Sequence, residues 1–225
     1  YGEPHRVPIE EKDPKRPVNP YGESKLIFER ILYWYSQAYG LNFVSLRYFN
    51  AAGASEHFGE DHDPETHLIP NALKVALGQR DYLPIFGTDY DTKDGSCVRD
   101  YIHVLDIAKA HLLALKQLER GVSNKAYNLG NGEGYSVIEV ISAVKKVTGT
   151  DIPTLVQSRR EGDPPVLVAS SRLAELELGW RPDFPELESI IESAWQWQKE
   201  HPHGYSSKPA FTKRATARGK ELNSK

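Results

Sequence analysis

The sequence predicts an α/β fold in which helices alternate with parallel strands. Residues 20–39 have apolar side chains at helical spacing, and residues 42–49 follow as an apolar run typical of a buried strand. The same order recurs with an amphipathic stretch at 103–118 and a short strand at 126–129. Helix followed by strand, twice over, indicates part of a parallel sheet covered by helices.

The first helix has clear signals at both ends. Asn19 suits the N-cap, and Pro20 suits the first helical position because it lacks a backbone N–H. Gly40 follows the last apolar residue and is expected to end the helix.

Two further helices are predicted nearer the C-terminus. Ser136 and Glu139 form a capping-box pattern in front of a helix over residues 137–148. A second apolar periodicity predicts a helix over residues 187–200, while the polar, proline-containing residues 151–167 are expected to form a loop.

Composition limits the functions that the chain can have. The 31 acids and 28 bases give a net charge of -3, which argues against a nucleic-acid or membrane surface as partner. No stretch approaches the roughly 18 apolar residues of a membrane span. Cys97 is the only cysteine, which excludes an internal disulfide and favours a reducing, cytoplasmic location. There is no methionine, so we expect residues to precede Tyr1, and the basic residues 206–225 are expected to be a disordered tail.

Tyr21 and Lys25 lie four residues apart on the first predicted helix, so both project from one face. A phenol has a pKa of about 10, and lowering it by ~3 units needs about 4 kcal/mol of preference for the anion. A helix N-terminus contributes only about 0.3–1 kcal/mol, whereas an ammonium about 4 Å away contributes up to ~4 kcal/mol. Lys25 is therefore the expected partner that makes Tyr21 a general base.

These residues and several longer motifs resemble the extended short-chain dehydrogenase/reductase family, and within it the branch that epimerises nucleotide sugars at C4. The similarity covers about residues 1–205. The motifs that carry it are PYGESK at 20–25, LRYFNAAGA at 46–54, IFGTDYDTKDGSCVRDYIHV at 85–104, YNLGNGEGYSV at 127–137 and RREGDPP at 159–165.

The resemblance implies the C-terminal part of an extended Rossmann-type, doubly wound fold with a small mixed α/β domain for the substrate. Residues 1–50 and 97–130 are expected in the dinucleotide-binding part. Residues 51–96 and 131–205 are expected in the UDP-sugar domain.

The implied activity is NAD-dependent inversion at C4 of UDP-hexoses through a 4-keto intermediate, interconverting UDP-glucose and UDP-galactose. Tyr21 and Lys25 are the implied catalytic residues. The resemblance also implies that these two residues contact NAD, together with Phe49. The implied UDP-sugar ligands are Asn50, Leu68, Phe86, Arg99, Arg160 and Asp163. The resemblance also implies a homodimer formed through the Tyr21 helix.

Other interpretations stay open at this point. Ordinary ion pairs of Arg99 with Asp100, or of Arg160 with Glu161, are an alternative to diphosphate binding. Core packing is an alternative for Leu68 and Phe86, which the resemblance places around the uridine. A 4,6-dehydratase or a decarboxylase would share the Tyr/Lys pair. The 225 residues by themselves are expected to bind NAD poorly, and an inactive UDP-sugar-binding module is the alternative of a different class.

Two patterns resemble sites that we do not predict. Gly130, Gly132 and Gly134 imitate a dinucleotide fingerprint, but Tyr135 stands where the pattern requires Gly or Ala, which favours a structural turn. A second run has metal-ligand side chains but no zinc or calcium spacing, so no metal is expected; it comprises His57, Glu60, Asp61, His62, Asp63 and His67.

Two departures from the family pattern concern specificity. His67 stands where many members have an amide that contacts the diphosphate. Leu167 stands where members of narrow specificity have a bulky aromatic residue, so we expect that N-acetylated sugars also fit.

Overall fold

The computed structural model describes residues 1–205 as a chain of six helices and nine short strands. The helices are α1 (Pro20–Tyr39), α2 (Leu68–Ala76), α3 (Val104–Glu119), α4 (Val137–Thr148), α5 (Arg172–Leu178) and α6 (Leu187–Glu200). The strands are β1 (Val44–Tyr48), β2 (Asn50–Ala52), β3 (Leu83–Phe86), β4 (Val98–Arg99), β5 (Tyr101–His103), β6 (Lys125–Leu129), β7 (Tyr135–Ser136), β8 (Thr154–Gln157) and β9 (Val166–Leu167).

Helix α1 begins and ends where its sequence predicts. The Asn19 side chain accepts a hydrogen bond of 2.8 Å from the Gly22 N–H, and Gly40 ends the helix in the left-handed conformation with φ of 68°. Leu26 is the only residue of α1 that is buried. The helix therefore presents most of its apolar side chains at the surface of the described chain.

Helices α4 and α6 are confirmed, and α3 lies within one residue of its expected bounds. The Ser136 hydroxyl accepts from the Glu139 N–H at 3.0 Å, and the Glu139 carboxylate accepts from the Ser136 N–H at 2.9 Å, which completes the predicted capping box. Helices α2 and α5 were not predicted.

The two strands that were predicted before and after helix α3 pair with each other in parallel. β1 pairs with β6 in register from Val44 opposite Lys125 to Tyr48 opposite Leu129, and α3 precedes β6. The expectation of a buried strand at 42–49 was wrong in degree, because β1 is half-buried and spans Val44–Tyr48 only. Among the described residues it has one neighbouring strand, so its other edge is not covered by a sheet.

The remaining sheets are small. β2 pairs with β5 and β3 with β8, both parallel, while β4 lies between antiparallel β7 and parallel β9. The expectation of a loop over 151–167 was therefore wrong in part, since β8 and β9 lie within it. These two strands are defined by backbone pairing with distant residues, which local sequence does not reveal.

Two hydrophobic clusters form the core. One is centred on α2, α4 and α6 and includes Leu73, Val144 and Ile190. The other joins α3, β6 and α5 and includes Tyr127 and Trp180. The division into two domains stays a prediction.

Two further expectations concern the C-terminal tail and membrane-spanning segments. The expected tail at 206–225 lies outside the described residues. Within residues 1–205, no helix is long and apolar enough to cross a membrane.

Candidate active site

Tyr21 and Lys25 share one face of α1, as their spacing predicts. The Lys25 ammonium nitrogen lies 5.0 Å from the centroid of the Tyr21 ring. Both residues are exposed, and Tyr21 has 72% of its surface accessible. The phenol is thus free to meet a ligand with a cation beside its ring.

The segment that carries this pair is fixed by bonds to its neighbours. The Ser24 hydroxyl donates to the Tyr21 carbonyl at 2.7 Å. Further along α1, the Glu29 carboxylate accepts two parallel bonds from the Arg47 guanidinium of β1, at 2.6 and 2.7 Å. Burial opposes the charge on Arg47, yet hydrogen bonds to Glu29 raise the pKa of this guanidinium overall.

Phe49 and Asn50 lie at the carboxyl end of β1, where ligands of open parallel sheets bind. The Phe49 N–H donates to the Leu129 carbonyl at 3.2 Å, and the Phe49 ring lies 6.5 Å from that of Tyr1. The Asn50 N–H donates to the Asp100 carbonyl at 2.9 Å. Both side chains are half-buried.

Arg99 and Asp163 form an ion pair with each other. The Arg99 side chain is 12% exposed and also donates to the Val98 carbonyl at 2.8 Å. From the sequence, Arg99 was expected to bind either a diphosphate or Asp100, and a pair with Asp163 was not expected. Asp163 is 64 residues away from Arg99 in the chain, so local sequence does not indicate this pair. Cys97 lies beside the pair, and burial raises the pKa of its thiol.

Arg160 and Phe86 form a second pair. The Arg160 guanidinium carbon lies 3.9 Å from the Phe86 ring centroid. The adjacent Arg159 is used differently, because it donates to the Asp89 carboxylate at 2.7 Å and lies 4.2 Å from the Tyr90 ring centroid. Sequence reasoning missed this second arginine contact.

Leu68 is the first residue of α2 and packs against the α2, α4 and α6 core. The predicted site residues therefore occur as three pairs, Tyr21 with Lys25, Arg99 with Asp163, and Arg160 with Phe86, together with separate Phe49, Asn50 and Leu68.

The glycine turn after β6 is a structural turn, as expected. The buried Asp100 carboxylate accepts from the N–H groups of Asn131 at 2.8 Å, Gly132 at 3.2 Å and Ala169 at 3.0 Å. A Cβ on Gly130 would lie 2.3 Å from the same carboxylate. The N–H groups that a dinucleotide fingerprint offers to phosphate are thus already bound within the protein.

The residues present fit one end of a dinucleotide. Tyr21 and Lys25 place a phenol beside a cation on one exposed helix face, and Phe49 supplies an aromatic ring just after the end of β1. Among the described residues, the N–H groups of the turn that imitates a phosphate loop donate to Asp100, so this turn does not supply the phosphate-binding end.

A cavity of about 660 Å³ lies elsewhere, and none of the predicted site residues lines it. It is lined by several residues of the run that was expected to be a solvated acidic loop, together with Glu65, which the sequence analysis did not single out.

Comparisons with known proteins identify the family of the chain. Residues 1–130 match the model of the NAD dependent epimerase/dehydratase family. The chain belongs to this family.

Within this family, the chain is similar to several UDP-glucose 4-epimerases. The UDP-glucose 4-epimerase of Halalkalibacterium halodurans is 56% identical over 92% of this chain and 63% of its own length. A crystal structure of UDP-glucose 4-epimerase has a TM-score of 0.87 at 52% identity, covering 92% of this chain and 64% of that one. The Bifidobacterium longum enzyme, solved in complex with NAD+ and UDP, has a TM-score of 0.85 at 40% identity, covering 91% and 62%.

The extended Rossmann-type α/β fold predicted from the sequence is confirmed by these structures. The chain spans about 63% of the length of the curated relatives that it matches.

Proposed function

We propose that the complete protein interconverts UDP-glucose and UDP-galactose by NAD-dependent epimerisation at C4. The observation that carries the proposal is the position of Lys25, 5.0 Å from the Tyr21 ring centroid on one exposed helix face. The names of the relatives at 50–56% identity support the same activity.

Tyr21 is proposed as the group that takes the proton from the sugar 4-hydroxyl. The Lys25 ammonium beside the ring would stabilise the negative charge that the phenolic oxygen carries during this transfer. Tyr21, Lys25 and Phe49 would hold the nicotinamide end of NAD. When bound, NAD supplies the hydride chemistry at C4, while the protein orients the sugar and moves the proton.

The UDP-sugar is proposed to bind between the two arginine pairs. Arg160 has a planar guanidinium with donors suited to a diphosphate, and it lies over the Phe86 ring, 3.9 Å from the ring centroid. Arg99 would meet the diphosphate by exchanging one bond of its ion pair with Asp163, whose carboxylate then accepts from ribose hydroxyls. Asn50 and Leu68 are proposed as further contacts with the sugar and the uridine.

Leu167 supports a broad range of sugars. It lies opposite Arg99 in the β4–β9 pairing. A leucine there leaves more room than an aromatic ring, so the site is proposed to accept N-acetylated UDP-hexoses as well.

We also propose a homodimer that uses α1, because exposed apolar side chains along one helix typically mark a protein interface. Ile27, Phe28, Ile31, Trp34 and Tyr35 are 45–67% exposed. A cytoplasmic location is proposed from Cys97, which is a buried, free thiol.

Product analysis tests the activity. The complete protein is incubated with UDP-galactose and NAD, and the nucleotide sugars are separated and identified by NMR. We expect UDP-glucose without net reduction of NAD. A 4-keto-6-deoxy sugar would instead identify a dehydratase, and unchanged UDP-galactose would contradict the proposal.

The 225-residue chain is tested separately by calorimetric titration. Heat with UDP and none with NAD would identify a UDP-sugar-binding module, which is the alternative for these residues on their own. Heat with both ligands would contradict the expectation of poor NAD binding.

A further inference from the structure

Four metal-ligating side chains meet between β2 and α2. These are Glu60, His62, Glu65 and His67, and one ligand atom from each lies within 4.8 Å of the others. The spacing of these residues along the chain matches no common metal motif. The fold of this eight-residue segment, rather than a sequence motif, brings the four side chains together.

The distances within this cluster are close to those of a metal site. His67 Nδ1 lies 2.5 Å from a Glu60 carboxylate oxygen and 3.1 Å from one of Glu65, while His62 Nδ1 lies 4.0 Å from Glu65. Tetrahedral zinc with bonds of about 2.1 Å places its ligand atoms about 3.4 Å apart. The rearrangement needed is thus small, about 1.4 Å at most for a pair 4.8 Å apart.

The charges of the cluster favour a cation. The Glu65 side chain is only 4% exposed, and that of Glu60 is 29% exposed. Two carboxylates in a partly desolvated position repel each other, and a bound cation between them would remove this repulsion.

The surrounding structure holds both ends of the segment. The Gly59 N–H donates to the Tyr205 hydroxyl at 3.0 Å, and the Tyr205 N–H donates to the Asp61 carboxylate at 3.1 Å. At the other end, the Asn71 side chain of α2 donates to the Glu65 carbonyl at 3.3 Å. The ligands are therefore preorganised, which lowers the entropy cost of closing a site.

The cluster is also open to ions from solvent. Glu60, His62 and Glu65 line the cavity of about 660 Å³. His67 side-chain exposure is 55%, so the imidazole that bridges the two carboxylates is accessible as well.

We propose that Glu60, His62, Glu65 and His67 bind one divalent transition-metal ion, for which Zn²⁺ is the probe. Two imidazoles and two carboxylates are ligands of the kind that zinc accepts. Four protein ligands leave no open coordination position, so the ion is structural and joins the β2–α2 segment to the start of α2. Binding displaces any proton on His67 Nδ1, which is released to solvent.

The test uses the complete protein without a polyhistidine tag, freed of metal with EDTA and titrated with Zn²⁺ by calorimetry. We expect saturable binding of a single ion. His62→Gln is the first variant, because His62 is exposed and its nearest carboxylate contact is 4.0 Å long. It should weaken zinc binding by at least about tenfold, since even outer-sphere partners of metal ligands are worth that much.

His57→Gln and His203→Gln are matched controls. His57 lies in the same segment, and His203 lines the same cavity, but neither belongs to the cluster. Both variants should bind zinc as the unchanged protein does, and His67→Gln should weaken binding as His62→Gln does.

Circular dichroism of each metal-free variant confirms that it folds, and the visible absorption of Co²⁺ reports its coordination directly. Absence of saturable zinc binding by the unchanged protein would overturn the proposal, and would mean that the cluster is an ion pair of His67 only. The proposal would also be overturned if a control variant weakened zinc binding as much as His62→Gln does. That result would mean that surface histidines bind zinc adventitiously.

Discussion

Arg47 and Glu29 join β1 to helix α1, which carries Tyr21 and Lys25, by two parallel hydrogen bonds of 2.6 and 2.7 Å. Their side chains are only 16% and 24% exposed. Glu29→Gln would leave one guanidinium donor facing an amide NH₂, so we expect unfolding to become easier by about 1–3 kcal/mol. Urea unfolding followed by circular dichroism measures this loss.

Asp151→Asn is the control for removing a carboxylate from an ion pair. Asp151 pairs with Lys145, but the two side chains are 82% and 63% exposed. Solvent screens such a pair, so its loss should change stability by less than about 1 kcal/mol. A Glu29→Gln variant that loses no more stability than Asp151→Asn would contradict a stabilising role for the Arg47–Glu29 pair.

The buried Asp100 should make stability depend on pH. Burial raises its pKa to about 6, although three backbone N–H groups oppose this shift. A carboxyl whose folded pKa is raised stabilises the protein at low pH, and this contribution is lost as the pH rises from about 4 to about 6.

Asp100→Asn isolates this effect. The amide cannot accept from all three N–H groups, so the variant should lose about 2 kcal/mol or more at pH 5. Between pH 5 and 7 the difference from the unchanged protein should shrink by about 1 kcal/mol, because only the carboxyl titrates. A difference that stays the same at both pH values, measured by urea unfolding, would show that the backbone N–H groups keep the carboxyl ionised throughout this range instead.

Arg160 and Arg159 form a matched pair for testing the diphosphate site. Arg160→Met removes the guanidinium stacked on Phe86 and should raise the Kd for UDP by about 10–100-fold, the value of a lost charge-assisted bond. Arg159→Met removes the arginine bound to Asp89 and should leave UDP affinity within a few-fold. Calorimetric titration with UDP decides, and equal effects of the two variants would count against the assignment of Arg160.

Ile31→Glu tests the proposed dimer. Ile31 lies among the exposed apolar side chains of α1, and a charge there should dissociate a dimer that buries this face. Leu176→Glu is the control, because Leu176 is 72% exposed on the separate helix α5. Sedimentation velocity of the complete protein should show monomers for Ile31→Glu only. A dimer that persists in this variant would contradict the proposed interface.

The longer helices could be predicted because their ends carry local chemistry. Asn19, Gly40 and the Ser136–Glu139 box mark helix ends through bonds within a few residues. Strands of two to four residues, such as β4 and β9, have no periodicity long enough to detect. Their existence depends on pairing with residues far along the chain.

The candidate site likewise has features that local sequence predicts and features that depend on distant contacts. The common face of Tyr21 and Lys25 follows from helical spacing, so the sequence suffices to predict it. The pairing of Arg99 with Asp163 joins residues 64 positions apart, and the inclusion of Glu65 in the four-residue cluster depends on the path of a loop. Neither has a signal in local sequence.

Tyr21 is proposed to move the proton at the sugar 4-hydroxyl. Tyr21→Phe keeps the ring beside Lys25 and removes only the phenolic oxygen, so UDP binding should persist while kcat for conversion of UDP-galactose falls by about 10²–10⁴-fold. Steady-state kinetics of the complete protein with NAD, together with the Kd for UDP, measures both. A Tyr21→Phe enzyme that keeps kcat within a few-fold of the unchanged protein would contradict the account.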